Sequence, residues 1–162
     1  MTIINNVTRL LDARKIPYKA FELPEEKLGA EETAQLLGID PEVVFKTIVV
    51  TRLKGKPILA VIPGPHRVDL RLLAIALGEK KVNLSTEREA ENLTGLQAGG
   101  ISPLALINKG FQVIISNCAQ DFQEIHVSGG QRGINIRLPV KSLVELTHAR
   151  LSAISIPEIK NL

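Results

Sequence analysis

The run Val43-Val44-Phe45-Lys46-Thr47-Ile48-Val49-Val50 limits the fold more than any other stretch of the chain. It is rich in β-branched residues and holds no glycine or proline, the composition of a strand covered on both faces. Side chains alternate along a strand, so Val44, Lys46, Ile48 and Val50 share one side, and a lysine stands in an otherwise apolar row. Sinking an ammonium among apolar groups is costly unless something pairs with it. Two solutions are open. Lys46 can lay its stem along the apolar surface and reach water at the strand end, or it can point into a pocket that holds an anionic ligand.

The neighbouring segments give this strand a sheet to join. Thr51 to Pro57 reads as a hairpin-type connection, and Ile58 to Ile62, apolar throughout, as a central return strand. Tyr18 to Leu23 alternates like a short edge strand, and Lys80 to Leu84, Phe111 to Ser116, Glu124 to Val127 and Gly133 to Leu138 read as further strands. Helices are expected from Thr2 to Arg14, around Ala34 and Leu37 with a stop at Gly38, and from the Asp69 cap to Gly78. Two more run from the Thr86/Glu89 capping box to about Gly95, and from Pro139 through Val140, Leu143, Val144 and Thr147. Ala149 to Leu162 reads as a weakly held tail. Helices and short strands interleave irregularly, so an α+β fold with a mixed, largely antiparallel sheet is expected. The 162 residues suffice for one domain with a substantial core.

Charge and composition narrow the function classes. A net charge of +3 is mildly basic, and aromatics make up only 3% with no Trp. Base-stacking platforms are therefore not expected, and RNA contact should run through phosphates and backbone. The single cysteine, Cys118, excludes an internal disulfide or a multi-cysteine zinc site, and after Val113-Ile114-Ile115 it reads as a small buried hydrophobe. Asn5, Asn6, Arg9 and Asp12 break any secretory apolar core near the N-terminus, and no apolar run reaches membrane-spanning length. A cytoplasmic location with no membrane partner follows.

Nucleotide-loop, Walker-type and His-Glu-x-x-His motifs are all missing from the sequence, so neither a metal nor a cofactor is expected. His66, His126 and His148 stand apart; His126 reads as a structural histidine in a strand and His66 as solvated in a loop. The remaining chemistry lies in two glycine loops, Gly99-Gly100-Ile101-Ser102-Pro103 and Ser128-Gly129-Gly130. Each alone can be a turn. Together with an inward lysine they offer amide donors for an oxyanion and a cation for a phosphate or carboxylate. Arg67, Arg71, Lys80, Lys81 and Arg88 could guide a polyanion, although basic residues on helix faces mostly solubilise.

Through these same residues the sequence resembles the YbaK/EbsC family, aminoacyl-tRNA deacylases related to the editing insertion of bacterial prolyl-tRNA synthetases. The resemblance is carried by Val44-Phe45-Lys46-Thr47, Val68-Asp69-Leu70, Leu77-Gly78-Glu79-Lys80-Lys81-Val82, Gly99-Gly100-Ile101-Ser102-Pro103 and Val127-Ser128-Gly129-Gly130-Gln131-Arg132-Gly133. It implies a barrel-like sheet enclosing a pocket and flanked by helices, with mischarged tRNA as partner through its acceptor end and prolyl-tRNA synthetase as a second partner. It implies removal of cysteine from Cys-tRNA(Pro), with the substrate's own thiolate attacking the ester. Deacylation of Ala- or Ser-tRNA, or non-catalytic tRNA or synthetase binding, are the alternatives. Lys46 and Gly100 would be the catalytic residues. Phe21, Thr47, Gly99, Ile101, Ser102, Ser128, Gly129, Gly130 and Asn135 would bind substrate. Two positions depart from the family pattern: Asn135 stands where the YbaK branch usually has Asp, and Phe21 where it usually has Tyr.

Overall fold

The computed structural model describes residues 3–159. Helix α1 (Asn6–Ala13) is capped by Asn5, whose Oδ1 accepts from the Thr8 N–H at 2.9 Å while Thr8 Oγ1 accepts the Asn5 N–H at 2.8 Å. This reciprocal cap stops the helix short of Ile3 and Ile4, which were expected inside it; the expected start at Thr2 lies outside the described residues. The edge strand β1 (Lys19–Glu22) leads to α2 (Ala30–Leu37), which ends at Gly38 in the left-handed region. A 3-10 turn over Pro41–Val43, capped by Asp40, delivers the chain into β2 (Phe45–Arg52) and its hairpin partner β3 (Ile58–Pro63).

Next come β4 (His66–Val68), α3 (Leu70–Leu77) capped by Asp69, β5 (Val82–Leu84), and α4 (Glu87–Thr94) with its Thr86/Glu89 capping box. A 3-10 turn over Pro103–Leu106 precedes β6 (Gln112–Ser116), and another over Asn117–Asp121 precedes β7 (Glu124–Ser128). Then follow β8 (Ile134–Pro139), α5 (Val140–Thr147), β9 (Arg150–Ser152) and β10 (Ser155–Pro157).

The strands form a five-stranded sheet in the order β5-β2-β3-β6-β9, a three-stranded sheet β1-β8-β7 and a β10-β4 pair. β3–β6 and β6–β9 run parallel and the other pairings antiparallel, so the expectation of a mixed, largely antiparallel α+β fold holds. The sheets do not close into a barrel. β5 is too short to cover β2 beyond Val50–Arg52, and the three-stranded sheet joins this edge by strand pairing only through an isolated parallel bridge from Val44, just before β2, to His126.

Apolar residues fill both faces of the large sheet. One face packs Phe45, Val49, Leu59 and Ile115 against Ile125, Val127, Ile136 and Leu138 of the smaller sheet. The other packs Val50, Ile58, Ala60 and Ile62 against Leu73 and Ala74 of α3. Such burial, on the order of 2 kcal/mol per large side chain, supplies most of the driving force.

The segment after Ala149 corrects the expectation of a loose tail. β9 extends the large sheet in parallel with β6, β10 pairs with β4, and Ile154 between them is fully buried. His66 is likewise buried rather than solvated: its Nδ1 lies 2.9 Å from Ser155 Oγ, which donates to Ser116 Oγ at 3.1 Å. Removing that link by Ser155→Ala should cost about 1 kcal/mol, read as a shift in the urea midpoint at constant slope; no shift would mean that the strand pairing alone holds the segment.

Candidate active site

β2 is paired on both sides only at its far end. Between the Val44 bridge and Val49, whose C=O accepts from Ser85, its outer edge is open, and a cavity of about 310 Å³ lies there. Lys46, Thr47 and Val49 of β2 form one wall, and Ser128 with Asn135 of the smaller sheet another. The loop residues Gly99 and Ile101 close a third side, and the starts of α2 (Gly29, Ala30, Thr33) and α4 (Ser85, Thr86, Glu87) also line it, as do Leu23, Glu26 and Leu28 from the segment between β1 and α2. At the rim, Lys27 Nζ lies 3.0 Å from Glu87 Oε2, with both side chains more than half exposed.

Of the two solutions open to Lys46, the chain takes the pocket: the lysine lines the cavity and is half-buried. Burial pulls its ammonium below the ordinary lysine range, and the negative charges of Glu158 and Glu31 partly offset that. The expectation that the strand is covered along its whole length needs correction, because Lys46, Thr47 and Ile48 are only half-buried.

Six of the expected site residues meet in this cavity: Lys46, Thr47, Gly99, Ile101, Ser128 and Asn135. The other five are absent from its lining. Gly100 packs against backbone: a Cβ there would lie 2.8 Å from Gln131 Cα, so the two glycine loops press on each other. At Gly129 the Ile134 side chain already fills the space an added Cβ would need, and the Gly129 N–H donates to Ile134 O. Gly130 turns the chain at φ +93°. Ser102 is fully buried and caps the 3-10 turn through Leu104 N.

Phe21 stands directly across the β1–β8 ladder from Asn135, on the polar face of the smaller sheet. Its ring centroid lies 5.5 Å from that of His126, 5.1 Å from Lys19 Nζ and 5.7 Å from Arg137 Cζ. His126 is a buried, satisfied histidine, with Nδ1 2.7 Å from Asn135 Oδ1. Burial lowers its pKa, so the neutral ring prevails. Its one N–H, aimed at Oδ1, leaves the Asn135 amide nitrogen to donate elsewhere. The link was hidden in the sequence, although His126 and Asn135 are diagonal neighbours on one face of the β7–β8 hairpin.

The helix starts were missed as wall residues. Their caps were legible, but no sequence signal gives the direction they face. Arg67, Arg71, Lys80, Lys81 and Arg88 are all exposed, and Cys118 is partly buried against the core. Among the described residues no three His, Cys, Asp or Glu side chains converge as a metal site requires, and no helix is long and apolar enough to cross a membrane.

Comparison with known proteins places this architecture. The model of the aminoacyl-tRNA editing domain matches residues 24–146. An Enterococcus faecalis protein named as a candidate Cys-tRNA(Pro)/Cys-tRNA(Cys) deacylase, EbsC, is 37% identical over 155 residues, 94% of each chain. A proline–tRNA ligase of Staphylococcus aureus is 27% identical over 120 residues, 74% of this chain but only 20% of the ligase. A crystal structure described as a candidate trans-editing enzyme for prolyl tRNA synthetase superposes with a TM-score of 0.80 at 25% identity, covering 96% of this chain and 99% of the other. That of a hypothetical protein reaches a TM-score of 0.86 at 24% identity, covering 94% of this chain and 100% of the other, and shows the shared fold. With a family model spanning most of its length and a relative of this identity along nearly all of it, the chain belongs to the aminoacyl-tRNA editing domain family.

Proposed function

We propose that this chain is a cytoplasmic, single-domain trans-editing deacylase that removes cysteine from mischarged Cys-tRNA(Pro). The observation that carries the reading is the opening of Lys46 into the same cavity as Thr47, Ser128 and Asn135, at the unpaired edge of β2. The name given to the E. faecalis relative supports the substrate. Lys46 meets a phosphate of the tRNA acceptor end, and the exposed basic residues guide the rest of the polyanion towards it. The resemblance to an insertion found in prolyl-tRNA synthetases suggests such a synthetase as the partner that hands over the tRNA.

The cleavage is substrate-assisted. The thiolate of the esterified cysteine forms an S–C bond to its own carbonyl, the C–O bond to the ribose breaks, and the tRNA leaves after its oxygen takes a proton from water. Water then opens the cyclic thioester to free cysteine. The protein's share is orientation and stabilisation of the carbonyl oxygen.

The test is incubation of the protein with Cys-, Ala-, Ser- and Pro-charged tRNA, following loss of the ester. Selective loss of cysteine is the expected result, unchanged by Cys118→Ala. Selective loss of alanine or serine would move the substrate within the class. Equal, slow loss from all four would remove catalysis and leave a binding protein.

A further inference from the structure

The register of β2 fixes where its backbone polar groups point. In an antiparallel pair the N–H and C=O of one residue turn to the same side, alternating along the strand. Val44 O accepts from Gly64 N at 2.8 Å on the β3 side. Val49 O accepts from Ser85 N at 3.1 Å and Ser85 Oγ at 2.8 Å on the β5 side. Lys46, Ile48 and Val50 therefore bond β3, while Phe45, Thr47 and Val49 turn away from it. On that outer side β5 pairs only with Val50–Arg52, and β7 reaches only the Val44 bridge. No other strand pairs with β2 between those contacts, and no hydrogen bond to the Thr47 N–H or C=O is made from that side by the described residues. Thr47 lines the cavity, so both groups open into it.

Backbone groups withdrawn from the sheet ladder carry a cost unless water or a ligand meets them. We infer that the open edge at Thr47 holds the aminoacyl group of the substrate as a one-residue antiparallel strand. The Thr47 N–H donates to the ester carbonyl oxygen, and the Thr47 C=O accepts from the α-ammonium. The aminoacyl identity of the ligand rests on the function proposed above; the open edge does not. In a hydrogen-bonded antiparallel pair, one residue exchanges both of its bonds with the single residue opposite. An aminoacyl ester carries that same pair of groups, a nitrogen donor and a carbonyl acceptor, about one Cα. Recognition by strand addition is a general device for extended ligands; here the ligand is one residue long. Because it uses atoms common to every α-amino acid, this edge holds the reacting group without choosing among side chains. Its N–H also sits where charge develops on the carbonyl oxygen.

Two measurements test the inference. In the first, the Thr47 amide is replaced by a backbone ester using the α-hydroxy analogue of threonine, which deletes the N–H and keeps the side chain. The value of kcat should fall by about 100-fold with KM changed little, as for loss of one oxyanion donor, while the melting temperature stays close to that of the parent. In the second, hydrogen exchange is followed with 3′-deoxy-3′-(alanylamino)adenosine, whose amide link resists deacylation. In the free protein the Lys46 and Ile48 amides should exchange slowly and the Thr47 amide fast. At saturating probe the Thr47 amide should slow by about tenfold or more. A backbone ester that retains parental kcat, or a Thr47 amide indifferent to the bound probe, overturns the inference. The exchange measurement needs no turnover, so it decides this point whether or not the protein proves to be a deacylase.

Discussion

Lys46→Met should remove most deacylation and raise the melting temperature. The ammonium stands half-buried beside apolar β2 neighbours, and its lowered pKa is the signature of a charge held against desolvation. The sign follows from linkage. A base whose pKa is lower in the folded chain than in the unfolded one binds its proton less tightly when folded, so at neutral pH the charge opposes folding. That opposition is relieved as pH rises through the folded-state value towards the unfolded one. Methionine keeps the stem and drops the charge, so the variant should gain stability at neutral pH and lose the alkaline rise. Activity should move the other way. A charged hydrogen bond to phosphate is worth roughly 1.5–3 kcal/mol, so kcat/KM should drop by about 100-fold. Melting curves at neutral and alkaline pH, beside the Cys-tRNA assay, check both halves. A variant that is less stable and still active would show that Lys46 is a surface lysine with a packed stem.

Gly100→Ala should cost about 2–3 kcal/mol and most of the activity. The added methyl would come within 2.8 Å of Gln131 Cα, 2.9 Å of Gln131 C and 3.0 Å of Arg132 N, all of them backbone atoms with no rotamer to escape into. Arg132 ties the same two loops through its Nε–H to Ala98 O at 2.8 Å. Forcing them apart displaces Gly99 and Ile101, which line the cavity. Denaturant titration and the deacylation assay should therefore change together. A loss under about 0.5 kcal/mol would mean that the loops part freely and that the close approach is not what holds the wall.

The strand carrying Lys46 was legible because a period of two and a charged residue in an apolar row leave few solutions. Helix boundaries at Gly38, Gly78 and Gly95 were legible because each glycine adopts positive φ at the helix end. The glycine loops were legible only in part: Gly99, Ile101 and Ser128 face the cavity, while Gly100, Gly129 and Gly130 serve packing and turning. Glycine serves close packing and ligand approach equally well, and only the fold reveals that Gly100 meets Gln131 and that Gly129 meets Ile134. β9 and β10, three residues each, are too short for alternation to appear, and their partners β6 and β4 lie far back in the chain. The barrel failed for a physical reason outside any motif: a short β5 leaves β2 uncovered, and that same gap is the cavity.

The β1–β8 ladder has a kinetic consequence. Lys19 lies opposite Arg137 and Phe21 opposite Asn135, so one wall of the cavity is braced by segments drawn from near the two ends of the sequence. Loop closure over such a span comes before any reward from pairing, which slows folding. The β2–β3 hairpin, being local, can form early; the wall holding Asn135 completes only once the distant segments have met. A refolding molecule thus acquires its sheet before its cavity, and deacylation would return later than the β-sheet signal.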